Sequence, residues 1–259
     1  DIALTSNGTP ASPGMMARMM GREGNTLLVN GQPANVANPP VYQGKTTSRE
    51  RWRIVNASTS RYMSLAVSGA TAHMLGMDSG RYSPPKQLTS VTLAPGNRVD
   101  LLVDIANKTA SLTYTSVAHE DSMGMGNAQT FDNFPLLSVV PTGEALIGLA
   151  DLPTQIPGVD LRKLAASTKR TFTLAMPAMG SGMMGNMNGD FTINGVAFDH
   201  HAVNTTTTIG AIEEWTIINT STMAHPFHLH VWPMQVLSEG ATRVTGIEYQ
   251  DVVNVPALS

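Results

Sequence analysis

The chain has 259 residues, a formal net charge of −3 and no cysteine. That charge, with no block of like charges, gives no electrostatic case for a nucleic-acid or anionic-membrane partner, and the longest apolar runs are too short to span a bilayer. Without cysteine there are no disulfides, thiolate zinc sites or cysteine nucleophiles.

The chain begins at Asp1 without a signal-like segment, as a mature or trimmed product would. Helix signals are scarce. Short runs rich in Thr and Val, spaced by Gly, Pro and Asn, predict a mostly β protein. In chain order these runs repeat. "LLVNGQ" (27–32) is echoed by "FTINGV" (191–196), "ERWRIVNASTSRYMSLAV" (50–67) by "EEWTIINTSTMAHPFHLHV" (213–231), and "VTLAPG" (91–96) by "VVNVPA" (252–257). The echoes keep one order and lie 161 to 164 positions apart, as a duplicated β domain requires. Alternation within runs such as "RWRIVN" suits half-buried strands. The segment around Pro141, Pro153 and Pro157 has linker composition. The expectation is an all-β chain of two Greek-key β-sandwiches at 1–143 and 169–259, joined by a linker at 144–168.

The copies differ at their ends. After Pro95 the first copy continues through "RVDLLVDI" and "SLTYTSV", whereas only Ala257, Leu258 and Ser259 follow Pro256. The second sandwich is therefore expected to lack its C-terminal strands, leaving open edges. Either the sequence is a piece of a longer protein, or another polypeptide supplies that part.

Three of the seven histidines, His225, His228 and His230, fall in "HPFHLH". On a strand, His228 and His230 share a face and His225 takes the other. Imidazole suits copper, zinc, iron or nickel, and three histidines alone do not complete a four-coordinate site, so other segments must contribute. The alternative is ordinary strand histidines. The corresponding stretch of the first copy, "RYMSLAVSG", has no histidine, so the fold does not demand imidazole there.

"HPFHLH" followed by "MQVL" resembles a copper-binding motif of the multicopper oxidases, laccase-like blue copper enzymes. "FTINGVAFD" and "YQDVVNVPA" resemble its approach and exit. The first copy is similar to the family's second cupredoxin domain and the second copy to its third. The resemblance implies that His225 is a type 1 copper ligand, His228 a type 2 ligand and His230 a type 3 ligand. The latter two would serve a trinuclear cluster that reduces dioxygen to water with electrons from a small reducing substrate. Two departures stand out. Val231-Trp232 follows the motif where the family usually has Gly-His. The family's first domain and its C-terminal His-Cys-His segment have no counterpart here, so this chain alone is expected to be inactive. A periplasmic or secreted location is the family's usual one. A rival of another class is a non-catalytic cupredoxin-like scaffold of the cell envelope, such as relatives that have lost the ligands.

Two methionine clusters, Met15, Met16, Met19 and Met20, and Met176, Met179, Met183, Met184 and Met187, allow two readings. They are either Cu(I)-docking thioethers, as in cuprous-oxidase members of the family, or packing and gap-filling groups. His73 is expected to pack, and His119-Glu120-Asp121 and His200-His201 to lie on solvated turns. Asn56-Ala57-Ser58 and Asn219-Thr220-Ser221 match the glycosylation sequon, but in strand-like context.

Overall fold

A computed structural model describes residues 1–12, 21, 23–117, 131–145, 149, 151–154, 156–176 and 191–259. Met15, Met16, Met19, Met20, Met179, Met183, Met184, Met187 and the His119-Glu120-Asp121 turn lie outside the described residues. The strands of the first half are β1 (Leu28–Val29), β2 (Gln32–Pro33), β3 (Val41–Lys45), β4 (Ser48–Val55), β5 (Met63–Ser68), β6 (Thr71–Met77), β7 (Lys86–Gln87), β8 (Val91–Leu93), β9 (Arg98–Ile105), β10 (Ala110–Ser116) and β11 (Phe134–Thr142). Those of the second are β12 (Thr168–Ala175), β13 (Thr192–Ile193), β14 (Val196–Ala197), β15 (Glu213–Asn219), β16 (His225–His228), β17 (Met234–Gln235), β18 (Ser238–Glu239), β19 (Thr242–Arg243), β20 (Tyr249–Gln250) and β21 (Val252–Val255). Among the described residues the chain is all-β apart from one 3-10 turn, and no described helix is long and apolar enough to cross a membrane.

The first half is a sandwich of a five-stranded sheet, β3-β11-β10-β5-β8, and a four-stranded sheet, β4-β9-β6-β7. Strand β9 shows why. In "RVDLLVDI" every second residue turns inward, so Val99, Leu101, Val103 and Ile105 are buried while the residues between them are not. Each such side chain contributes about 1.5–3 kcal/mol on burial. They meet Leu65, Leu93, Leu112 and Tyr114 of the facing sheet in one core.

The second half has a four-stranded sheet, β14-β13-β12-β15, and three two-stranded ribbons, β16-β21, β17-β20 and β18-β19. Strand β5 is flanked by both β8 and β10, but among the described residues its counterpart β16 pairs only with β21.

The repeat is visible atom by atom. Asn30-Gly31 and Asn194-Gly195 both take positive φ at the tips of two-residue hairpins, the conformation a primed turn requires. Trp52 Nε1 donates to Glu50 Oε2 at 2.9 Å, and Trp215 Nε1 to Glu213 Oε2 at 2.8 Å. Asn56 Nδ2 donates to the carbonyls of Arg61 and Leu93, and Asn219 Nδ2 to those of Met223 and Val255. The two asparagines are 163 positions apart, but their acceptors are 162 apart. The turn after Asn219 is therefore one residue shorter. Met63↔Leu93 corresponds to His225↔Val255, so His225 and Phe227 occupy the places of Met63 and Leu65. A one-residue slip reverses every side chain on a strand, so this detail decides which histidine faces inward. Both asparagines are 1% exposed with their amides engaged, which leaves neither sequon open to a glycan.

The segment read as a linker packs on the second half. Asp160 caps the 3-10 turn Leu161–Lys163 and accepts from Gln235 Nε2 at 2.9 Å. Tyr249 Oη donates to the Val159 carbonyl at 2.6 Å, and Arg162 Nη1 to that of Val244. The halves are joined by Asp78, whose carboxylate is fully buried and accepts from Asn97 Nδ2 and from the backbone N–H groups of Arg98, Asp251 and Val252. Close by, Gly80 lies against the Tyr249 backbone so tightly that a Cβ there would collide with the Tyr249 carbonyl. Gly80→Ala is expected to destabilise the protein by about 1–3 kcal/mol through this forced separation, read by thermal or urea unfolding. A neutral result would mean the two halves slide apart freely at this seam.

Candidate metal centre

"HPFHLH" becomes a strand because β16 pairs antiparallel with β21, His225 opposite Val255 and His228 opposite Val252. Phe227 sets the inward face. Its ring lies 6.3 Å from that of Phe172 and 6.4 Å from that of Trp215, centroid to centroid. His225 shares that face and meets the edge of Phe191. His228 takes the opposite face, and its ring lies 4.7 Å from that of His230. His225 and His228 thus take opposite faces, as the strand period predicted, whereas β16 ends at His228 and His230 lies beyond it.

For His228 the ring's partner decides which nitrogen carries the lone pair. His228 Nδ1 lies 2.7 Å from the Asp251 carbonyl oxygen. A carbonyl only accepts, so Nδ1 holds the proton and Nε2 is the donor nitrogen. Ser221 Oγ sits 2.8 Å from His225 Nε2, 2.7 Å from Asn219 Oδ1 and 3.0 Å from the Met223 carbonyl. Ser221 thus engages the His225 ring through Nε2. A neutral imidazole fixed in one tautomer by a partner on the other nitrogen, as at His228, is what a metal ligand needs.

Asp251 is the second element of the site. Its carboxylate takes a two-pronged bond from Arg98, Nη1 to Oδ1 and Nη2 to Oδ2, each at 2.6 Å. Those bonds, chiefly, hold the carboxyl below the usual carboxylate range. Sequence reasoning quoted "YQDVV" without assigning Asp251 a role, and passed over Ser221 and Arg98. The only available signal was the acid placed directly before β21.

Among the described residues no group of three or more His, Asp or Glu side chains is close enough to hold a metal ion. His228 and His230 provide two donors, so the set is chemically suited to copper but incomplete. Val231, immediately after the motif, has φ 73°, a left-handed conformation unfavourable for a β-branched residue. That is the position where glycine is usual in the resembling motif. Trp232 beside it is 74% exposed. His200 and His201 are exposed on a turn, as expected. His73 lies in β6, its Nδ1 buried with no hydrogen-bond partner.

Two family models match the chain, both described as multicopper oxidase, over residues 6–144 and 171–258. Over 220 residues the chain is 28% identical to a laccase of Bacillus stratosphericus, covering 83% of this chain and 40% of that protein. It is also 29% identical over 225 residues to the cell division protein FtsP of Dickeya dadantii, covering 85% of this chain and 42% of that one. A multicopper oxidase structure from Campylobacter jejuni, described as a metallo-oxidase, shares the fold with a TM-score of 0.74 at 23% identity. It covers 95% of this chain and 52% of that one. The chain thus spans less than half the length of these curated relatives.

Proposed function

The chain belongs to the multicopper oxidase family, whose cofactor is copper, and from that premise we propose that it is the copper-binding portion of a laccase-like oxidase. The proposed activity couples one-electron oxidation of phenols, aromatic amines or metal ions to reduction of dioxygen to water. One observation carries this reading. Two histidines of one short strand, His225 and His228, point to opposite faces and are each engaged at one ring nitrogen, and His230 just beyond the strand brings its ring 4.7 Å from that of His228.

In this reading His225 holds the type 1 copper, on the inward face. His228, on the other face, and His230 beyond it hold type 2 and type 3 copper. Copper supplies one-electron redox chemistry that no protein side chain offers here. The protein's part is to fix ligand orientation on paired strands. With no cysteine in the sequence, the thiolate of a blue type 1 site, and the remaining ligands of the trinuclear cluster, come from outside this chain. A periplasmic or secreted location accompanies the reading.

The test is copper content and oxygen uptake of the intact protein with a phenol and with ferrous ion. The expected result is several coppers per chain and four one-electron donors consumed per dioxygen, lost on chelation and restored by copper. The second reading, a cell-envelope scaffold, draws on the 29% identity to a cell division protein. A stably folded intact protein with neither copper nor oxygen uptake would support it instead.

A further inference from the structure

Resting on the copper reading above, we infer that Arg98 is a positioning residue for His228, acting through Asp251 from a half of the chain that carries none of the proposed ligands. His228 is oriented by the Asp251 carbonyl at 2.7 Å, with the Asp251 carboxylate 3.5 Å from the same nitrogen. The Asp251 carbonyl also accepts from the Leu229 N–H at 2.9 Å, whereas its carboxylate and backbone N–H are gripped from the first half. Arg98 clamps its carboxylate with two 2.6 Å bonds, and Asp78 accepts its backbone N–H at 3.2 Å and that of Val252 at 3.0 Å. Asn97 Nδ2 holds the Val252 carbonyl at 3.0 Å. The planar guanidinium allows one geometry for a two-pronged carboxylate bond, so the carbonyl that orients His228 is held in place as a rigid body with β9. Asp78 is itself fully buried and bonded to Asn97 and to the Arg98 N–H, which fixes the inner side of the clamp.

The interface also supplies its own control. Lys86 Nζ meets Glu248 at 2.6 Å and joins the same two halves, but it does not touch Asp251. If the ion pairs merely glue the halves together, Lys86 and Arg98 are equivalent. If Arg98 positions a ligand, they are not.

The experiment uses the intact protein in two states. In the metal-free state, imidazole nitrogen chemical shifts at a fixed pH of about 8, above the imidazole titration range, report the His228 tautomer. In the copper-loaded state, the type 2 signal in electron paramagnetic resonance reports occupancy during competition with a copper chelator. Arg98→Gln and Asp251→Asn are expected to convert a single Nδ1–H tautomer into a mixture. They should also weaken retention of type 2 copper about 10–100-fold, the range for losing a supporting partner. Lys86→Gln should change neither. An unaltered tautomer and unaltered retention in Arg98→Gln overturn the inference, as does an equal loss in Lys86→Gln. Should Arg98→Gln fail to fold, Arg98→Lys decides. It keeps the charge without the fork, so wild-type values for both readouts overturn the inference and a shift in the same direction supports it. Absence of copper from the unaltered protein would overturn the copper reading, whereas the tautomer measurement tests the clamp independently.

Discussion

Replacing His228 by alanine in the intact protein is expected to remove type 2 copper and lower oxygen reduction by at least about 100-fold, beyond what losing a supporting partner costs. The His228 ring lies 4.7 Å from that of His230, and its Nδ1 is already committed to Asp251. No other described imidazole is placed to substitute. His225→Ala should behave differently. Its ring lies on the inward face beside Phe191, tethered to Ser221, so its loss should slow oxidation of the reducing substrate and leave type 2 copper in place. Oxygen uptake, copper analysis and electron paramagnetic resonance on both variants separate these outcomes. Equal loss of every copper in both would contradict the division of the strand between two sites.

Asn219→Ala is expected to destabilise the protein by about 3 kcal/mol or more, because each buried polar group left without its partner costs about 1–3 kcal/mol. Its side chain, 1% exposed, donates to the carbonyls of Met223, Val255 and Pro256 at 2.7, 3.3 and 2.9 Å. It also accepts from the Ser221 N–H at 3.0 Å and the Ser221 hydroxyl at 2.7 Å. One amide thus ties the end of β15 to the chain entering β16 and to the end of β21. For a region of this size that loss corresponds to a melting shift of roughly 10 °C or more. Asn56→Ala removes the same knot in the first half, where the amide serves Arg61 and Leu93, and should cost a comparable amount. Asn219→Ala should in addition loosen His225, since Ser221 loses an acceptor for its hydroxyl proton. A change below about 1 kcal/mol in both variants would mean that the freed carbonyls find other donors, and that the shared knot is not what sets the turn.

Much of this protein was legible without a structure because its information is local. Strand periodicity is a two-residue property, so the alternation along β9 and the division of His225 from His228 could be read from order alone, whereas β16 ends before His230. The stretches quoted as repeat matches, "LLVNGQ" and "FTINGV", each carry Asn-Gly at a hairpin tip with positive φ, so their likeness in sequence is a likeness in turn. The duplication was equally plain, being a matter of comparing the chain with itself. Three features were not legible, each for the same reason. The lone-pair nitrogen of each histidine depends on its hydrogen-bond partner; for His228 that partner lies 23 positions away, and the Arg98 clamp on Asp251 spans 153. The proline-bearing segment read as a linker is held by Gln235 and Tyr249, residues with no sequence relation to it. The turn one residue shorter after Asn219 emerged only when the acceptors of the two asparagines were compared. Alternation and turn chemistry are decided within a few residues of backbone. Tautomer, clamp and register are decided by which distant groups packing brings within hydrogen-bond reach.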